Sequence, residues 1–186
     1  RIPVADLLLA TEVPLLELLP ATQDLVGIEL ELIDAENRAS RLAETLMPLR
    51  SRFDYVLLDC PPSLGLLTVN ALSAADAVLV PLQCEYYALE GLTQLMATID
   101  RVRDLYNPTL TVAGIVLTMY DPTLELTHEV DREVREFFGE IVFQSVIPRD
   151  ILVAEAPSHG QPVIEYAPRG RGARAYIELC MEVLER

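Results

Sequence analysis

A chain of 186 residues, 51% hydrophobic and 23% charged, has the composition of one packed globular domain and excludes a globally disordered, collagenous or repeat-tract polypeptide. Its 14 basic residues are all arginine and face 29 carboxylates for a formal charge of −15, which excludes lysine chemistry and a uniform electrostatic hold on nucleic acid or anionic membrane. No apolar run nears the ~18 residues of a membrane span, no signal-peptide pattern opens the chain, and Cys60, Cys84 and Cys180 show no C-x-x-C spacing; the reading is a soluble, cytoplasmic protein with reduced, buried thiols.

The first 36 residues are irregular, with Val4–Leu9 reading as a short helix and Leu15–Pro20 as a strand or loop. Leu42, Leu46 and Leu49 then step at helical spacing. Tyr55–Leu58 is an apolar run read as a strand buried on both faces, and Ser63 is placed to cap a helix over Leu66–Leu72. A second strand is expected at Ala77–Leu82, followed by a long helix marked by Leu89, Leu92, Leu95, Met96, Ile99 and Val102. A strand over Leu110–Thr118, a helix through Val130, Val134, Phe137 and Phe138, a strand over Ile141–Ile147 and a helix from Tyr176 to Leu184 complete the pattern. Buried strands alternating with amphipathic helices predict an α/β fold, a doubly wound, mostly parallel sheet flanked by helices, as one domain over residues 1–186. Such sheets bind ligands beyond the carboxyl ends of their strands. The segments in that position are Asp59–Gly65, Gln83–Glu85, Met119–Pro122 and Pro148–Asp150.

Several of these segments carry chemistry. An apolar strand ending in Asp59 has the form that holds magnesium, usually through water, in nucleotide-hydrolysing folds, although an Asp there more often serves as the N-cap of the next helix. Pro61 and Pro62 stiffen the exit from that strand and Gly65 permits close backbone approach. Met119 and Tyr120 end another strand, where a thioether and an aromatic ring serve packing as readily as binding. Arg169, Arg171 and Arg174, interleaved with glycine, form the one basic island, either a phosphate contact or a flexible loop. His128 and His159 lack ligand-spaced partners, which argues against zinc, and Ser63 and Ser158 lack the setting of a nucleophile.

Five blocks in this order, FDYVLLDCPPSLGLLTVNAL (Phe53–Leu72), VPLQCEYYALEGL (Val80–Leu92), LTMYD (Leu117–Asp121), VIPRD (Val146–Asp150) and EAPSHGQPV (Glu155–Val163), resemble the ParA/Soj family of partition ATPases in the MinD/ParA superfamily. The resemblance implies a P-loop NTPase-like fold and an ATPase of chromosome or plasmid partitioning that uses ATP and magnesium. It further implies an ATP-dependent homodimer that binds DNA non-specifically, is stimulated by a ParB/Spo0J-like partner, has no membrane association and works in the cytoplasm at the nucleoid. By this resemblance Asp59 matches the catalytic, magnesium-side carboxylate, acting through water, and Pro61–Gly65 the segment that senses the γ-phosphate. Pro61, Met119, Pro148, Arg149 and Asp150 become the cofactor-binding residues, Pro148–Asp150 lying against adenine; family members more often carry Asn at the place of Asp150. The family contacts DNA phosphates with exposed arginines. Two stretches where members commonly carry them read Asp121-Pro122-Thr123 and Ile147-Pro148-Arg149-Asp150-Ile151-Leu152 here, both with an arginine lost, which leaves Arg169, Arg171 and Arg174 as the DNA-contacting cluster.

The family opens with a strand, the loop KGGVGKT, a helix and a strand ending in LxDxDPQ, and none of these is in this sequence. The expectation is a chain lacking the first βαβ unit, which binds nucleotide weakly, hydrolyses essentially none, and leaves apolar sheet and helix surface uncovered. The alternative is a ParA-like dimerisation or regulatory module that does not hydrolyse. The membrane-bound MinD branch is disfavoured by Glu178, Glu182 and Glu185 on the last helix, and an iron–sulfur relative by Cys60 belonging to the DCPP block.

Overall fold

The computed structural model describes residues 2–32 and 34–186, without the side chains of Val26, Glu29 and Leu30. In chain order the elements are a 3₁₀ turn at Val4–Leu7, β1 (Leu9–Ala10), β2 (Glu17–Leu18), a 3₁₀ turn at Gln23–Gly27, α1 (Ile28–Glu31), α2 (Arg41–Leu46) and α3 (Leu66–Ala74). There follow β3 (Ala77–Gln83), α4 (Ala88–Leu105), β4 (Thr111–Tyr120), α5 (Glu125–Phe138), β5 (Val142–Pro148), α6 (Ile151–Glu155), α7 (Val163–Tyr166) and α8 (Arg171–Leu184). They divide into two compact units, one built from the residues up to Asp76 with Thr98–Leu110, the other from Ala77–Ala97 with Thr111–Arg186.

In the second unit β3, β4 and β5 form a parallel sheet in that order, and the fold is α/β. Gly114–Leu117 are consecutively buried, because alternate residues of the apolar run in β4 serve opposite faces. Ile115 and Leu117 join Val80, Leu82, Leu92, Val130 and Val134 in one core, while Val116 joins Phe143, Ile147, Ala175 and Leu179 in another. Residues of α4 and α5 thus cover one face and α8 the other. Each large side chain fully buried in these cores contributes about 1.5–3 kcal/mol. A side chain at Gly114 would overlap the Phe143 ring, so the close approach of β4 and β5 needs glycine there. β5 ends the three-stranded order, and its Gln144 and Ser145 amides donate to the two carboxylate oxygens of Glu182 at 2.8 and 2.9 Å, which occupies strand-edge donors from within the chain. Arg186 lies over the Phe143 ring at 4.0 Å and donates to the carbonyls of Ala113 and Ile141.

β3 departs from the expectation of burial on both faces. Val80 and Leu82 are buried, whereas Ala77, Leu79, Pro81 and Gln83 are exposed; only the alternate set reaches the core, as a period-2 strand requires when one face is open.

In the first unit Thr11 closes the β1–β2 hairpin by donating its hydroxyl to the Leu16 carbonyl at 2.9 Å. The Asn70 amide donates to the Arg38 carbonyl at 2.7 Å and its oxygen accepts from Leu42 N at 3.2 Å, joining α3 to the start of α2. Asn107 donates to the carbonyls of Leu72 and Ala75 at the end of α3, groups that a helix terminus leaves without partners. Two expectations fail in this unit. Tyr55–Leu58 joins no sheet among the described residues, and Tyr55, Val56 and Leu57 are exposed, Leu57 at 91%; an apolar run makes a strand only where a neighbouring strand pairs with it. Nor does Ser63 cap α3: Gly65 is the N-cap residue, and the Ser63 carbonyl accepts from the Thr68 hydroxyl at 2.5 Å.

Candidate functional site

The carboxyl ends of the three parallel strands bring Glu85, Tyr120, Asp121, Arg149 and Asp150 together within the second unit. Cys84 N donates to the Thr118 carbonyl at 3.2 Å and Arg149 N to the Tyr120 carbonyl at 2.9 Å, so the ladder continues just past β3 and β5. β4 carries one extra residue between its Leu117–Val146 and Tyr120–Pro148 pairings, a bulge. Met119 falls in that bulge with φ of 51° and stands 40% exposed. A non-glycine residue in the left-handed region stores strain of order 1–3 kcal/mol and recurs at binding sites.

The loop after β5 is tied down on every side. Asp150 is the N-cap of α6, its Oδ1 accepting from Leu152 N at 3.0 Å, and its Oδ2 accepts from Gly172 N at 3.1 Å in the first turn of α8. One largely covered carboxylate therefore satisfies amides at two helix N-termini, where the helix dipole also favours negative charge. Arg171 completes the arrangement: its Nη2 donates to the Arg149 carbonyl at 2.6 Å and its Nε lies 3.4 Å from Asp150 Oδ2. Gly172 is required by proximity, since a Cβ there would overlap Val153 and meet Asp150 Oδ2 at 3.4 Å. The Arg149 guanidinium is about half exposed and stands 3.9 Å from Glu85 Oε1.

Neighbouring charges follow the same geometry. The hydroxyl and amide of Thr123 donate to Asp121 Oδ1 at 2.7 and 3.0 Å and hold its carboxyl below the ordinary value, with Arg149 and Arg171 acting in the same direction. Behind the strand end, the Tyr120 hydroxyl donates to Asp131 Oδ2 at 3.0 Å while Arg135 donates to Asp131 Oδ1 at 2.6 Å. Burial raises the Tyr120 phenol, and the bond to Asp131 raises it further. Burial pushes the Cys84 thiol up to about 11, with Asp131 adding to the effect, so this cysteine is a neutral packing group. Asp131 and Arg135 sit at helical spacing in α5, which makes their pairing legible; the reach of Asp131 to Tyr120 is not.

In the first unit, Asp59 is exposed and has no hydrogen-bond partner among the described residues. Cys60 donates weakly to the Leu58 carbonyl at 3.5 Å, and its thiol is raised by burial and by the adjacent Asp59. Pro61 is exposed in the stretch that leads to α3. An uncommitted carboxylate is a hard oxygen donor of the kind magnesium takes one or two of, with phosphate and water completing its octahedron; Asp59 fits that role, whereas the engaged oxygens of Asp150 do not. Among the described residues no cluster of three His, Cys, Asp or Glu side chains forms a metal site, and no helix is long and apolar enough to cross a membrane. Cys60 and Cys180 are exposed and Cys84 buried, so the expectation of buried thiols holds for one of three. His128 meets the Pro122 carbonyl at 2.9 Å and His159 stacks on Tyr166 at 4.8 Å.

The arginine island is not uniform. Arg169, Arg171 and Arg174 are all exposed, yet Arg171 is committed to Arg149 and Asp150, while Arg169 and Arg174 have no ion pair among the described residues.

The family described as AAA domain matches residues 1–112. The chain is 50% identical over 184 residues to the chromosome partitioning protein ParA of Myxococcus xanthus, covering 99% of this chain and 65% of that protein. It is 48% identical over 180 residues to the sporulation initiation inhibitor protein Soj of Bacillus subtilis, covering 97% of this chain and 71% of that one. Among solved structures, cobyrinic acid a,c-diamide synthase from Mycobacterium smegmatis, with bound ATP analog and magnesium, matches with a TM-score of 0.82 at 34% identity, over 99% of this chain and 68% of that chain. The chain spans about two thirds of the length of each of these proteins.

Proposed function

Because the chain belongs to the ParA/Soj family, ATPases of the MinD/ParA superfamily, we propose that it serves as the switch and base-side part of a partition ATPase for a chromosome or plasmid. In this reading it acts as an ATP-dependent homodimer on non-specific DNA at the nucleoid, stimulated by a ParB-like partner. The observation that supports it best is the gathering of Met119, Arg149 and Asp150, with Arg171, at the carboxyl ends of a parallel sheet, where such folds take their ligands.

ATP with magnesium would supply the phosphoanhydride bond whose cleavage resets the dimer. Asp59 would hold the metal through water, with Pro61–Gly65 following as the segment that responds to the terminal phosphate. Taken by themselves, Pro148 and Arg149 at the end of β5 would present backbone and guanidinium to a base. Asp150 has both oxygens occupied, so it holds the loop in shape and leaves base contact to its neighbours. The test is magnesium-dependent ATP turnover by the protein expressed from its own gene, with duplex DNA present. Asp59→Ala is expected to lower it by about 10- to 100-fold, the range seen when a group orienting a metal's ligands is lost. Equal turnover by both proteins overturns the role given to Asp59.

DNA contact is assigned to Arg169 and Arg174, with Arg171 largely withheld by its internal partners. Two phosphates per protomer, each contributing a slope of about −0.9 in log affinity against log salt, give a dimer a slope near −4. A salt titration of duplex binding by the ATP-loaded protein and by Arg169→Ala/Arg174→Ala measures it; an unchanged slope shows the island to be a solvated loop.

The alternative, a ParA-like dimerisation or regulatory module without hydrolysis, is the other outcome of the turnover test. It predicts dimer formation with no turnover in the same assay.

A further inference from the structure

α8 is apolar on two sides. Ala175, Leu179 and Val183 step by four along the side that packs on Val116, Phe143 and Ile147 of the sheet. Away from the sheet, Ile177, Cys180, Met181 and Leu184 fall at i, i+3, i+4 and i+7 and form a second stripe. All four are exposed, Ile177, Met181 and Leu184 by 50%, 57% and 56%. A surface helix is ordinarily polar on the side away from its core, and one apolar on both sides is suited to lie between two bodies.

The charges beside the stripe point to the second body. Arg174 stands in the first turn of α8 and Glu185 just past its last residue, each at the end where the helix dipole disfavours its charge. Neither has an ion pair among the described residues, in contrast to Arg171 and Arg186. A second α8 running antiparallel brings each to its opposite. With a two-fold axis between Cys180 and Met181, Ile177 meets Leu184 of the second copy, and the two Cys180 side chains share one flank. On the other flank Arg174 comes within two residues, about 3 Å of helix rise, of Glu185 of the second copy. We propose that α8 is a self-association surface, on which a second copy of this chain docks antiparallel through the stripe of Ile177, Cys180, Met181 and Leu184, with an Arg174–Glu185 pair at each end. An anionic membrane fits this face poorly, because Glu178 and Glu185 flank the stripe beside Arg174 alone.

The stripe contains no residue of the strand ends, so the contact is separate from the ATP-dependent dimer of the proposed function and needs no nucleotide. It engages Arg174, and a molecule paired in this way withholds that arginine from DNA. α8 has 14 residues, about 21 Å of helix, which places the contact among small interfaces below about 1,200 Å² and makes it weak and concentration-dependent. The charge of −15 on each copy opposes it, least where salt shortens the Debye length to about 8 Å, near 0.15 M.

Sedimentation velocity of the protein expressed from its own gene, at that salt and without nucleotide, is expected to show a monomer–dimer equilibrium. Ile177→Asp/Met181→Asp, at solvent-facing positions, should keep the far-ultraviolet dichroism of the wild type and weaken the dimer about tenfold or more. Arg174→Glu should weaken it about two- to thirtyfold through the two lost pairs, beyond the effect of Arg169→Glu, which changes the net charge equally and lies off the stripe. Arg174→Glu/Glu185→Arg should return the affinity to within about twofold of wild type. A short bis-maleimide should join two copies through Cys180 on each, as mapped by mass spectrometry, and Ile177→Asp/Met181→Asp should lose that link. A monomer at every concentration, a dimer that Ile177→Asp/Met181→Asp leaves intact, or failure of the exchanged pair to restore what Arg174→Glu removes overturns the proposal. A dimer that forms only with ATP and magnesium overturns it as well and leaves the nucleotide reading standing.

Discussion

Two carboxylates end apolar runs in this chain, and they have opposite fates. Asp150 follows β5, is nearly enclosed, and has its oxygens taken by the amides of Leu152 and Gly172, with the Arg171 guanidinium alongside. Asp59 follows Tyr55–Leu58, is exposed, and has no hydrogen-bond partner among the described residues. The same local pattern, apolar residues then Asp, therefore yields a structural tie in one unit and a solvent-facing carboxylate in the other. What differs is the surroundings: β5 pairs with β4 and receives α8 behind it, and Tyr55–Leu58 pairs with no strand among the described residues. A carboxylate engaged by helix amides ties the fold together; one that faces solvent is hydrated by water and adds little to stability.

The contrast is broken most directly at Asp150. Asp150→Ala removes an acceptor shared by two helix N-termini and leaves Arg171 without its carboxylate, a loss of about 2–4 kcal/mol in urea unfolding. Asp150→Asn keeps one acceptor and turns the other position into a donor or an acceptor by rotation, so about half that loss is expected. Equal stability of the three proteins would show that α6 and α8 need no tie.

Next in size is Gly172→Ala, which places a methyl against Val153 and is expected to cost about 1–3 kcal/mol by overpacking. Gly114→Ala, which meets the Phe143 ring and lies 2.8 Å from Arg186, should cost a similar amount. Thermal unfolding of both variants checks the claim that each glycine is there for proximity, because neither has a positive φ.

Much of the second unit is legible in the sequence, and the reasons are local. β3, β4, β5, α4, α5 and α8 lie within a few residues of their expected bounds because apolar runs and steps of three or four carry the information themselves. The Asp150–Gly172 bond spans 22 residues, the Glu182 reach to Gln144 spans 38, and no periodicity records either. The position of Met119 at a strand end is legible, but its left-handed backbone arises from a bulge, a matter of register between two strands. Tyr55–Leu58 failed as a strand for the complementary reason: its pattern is right, and a ladder needs a second strand that no local pattern supplies.

A smaller effect comes from acid. The amides of Ser145 and Gln144, the Ser145 hydroxyl and Arg186 hold the Glu182 carboxyl below its ordinary 4.5, overcoming burial, the largest single influence, which acts the other way. A carboxyl depressed in the folded state gives stability that is complete above the unfolded value and is lost as pH falls from about 4.5 through the folded value. Glu182→Gln should therefore lie below wild type in stability at neutral pH, with the gap closing as pH falls beneath that point. Cys84 acts at the other end. Its thiol titrates near 11 when folded against 9.0 unfolded, so the folded state loses ground as pH rises above 9.0, and Cys84→Ala should remove that part of the alkaline slope.

The smallest expected change is the most informative. Asp59→Asn removes a charge that no described group hydrogen-bonds and that faces solvent, so unfolding free energy should move by less than about 0.5 kcal/mol, the usual range for an exposed position away from caps and networks. The same substitution is expected to depress ATP turnover in the protein expressed from its own gene, since the amide offers magnesium-bound water a weaker acceptor than the carboxylate. Stability and activity thus separate at Asp59, while at Asp150 any loss of activity travels with a loss of stability. A fall of more than about 1 kcal/mol on Asp59→Asn would mean that the carboxylate has a partner within the folded chain after all, comparable to a net hydrogen bond, and the contrast between the two acids would then reduce to one of degree. Urea unfolding of Asp59→Asn beside Asp150→Asn, at neutral pH and without nucleotide, makes that measurement.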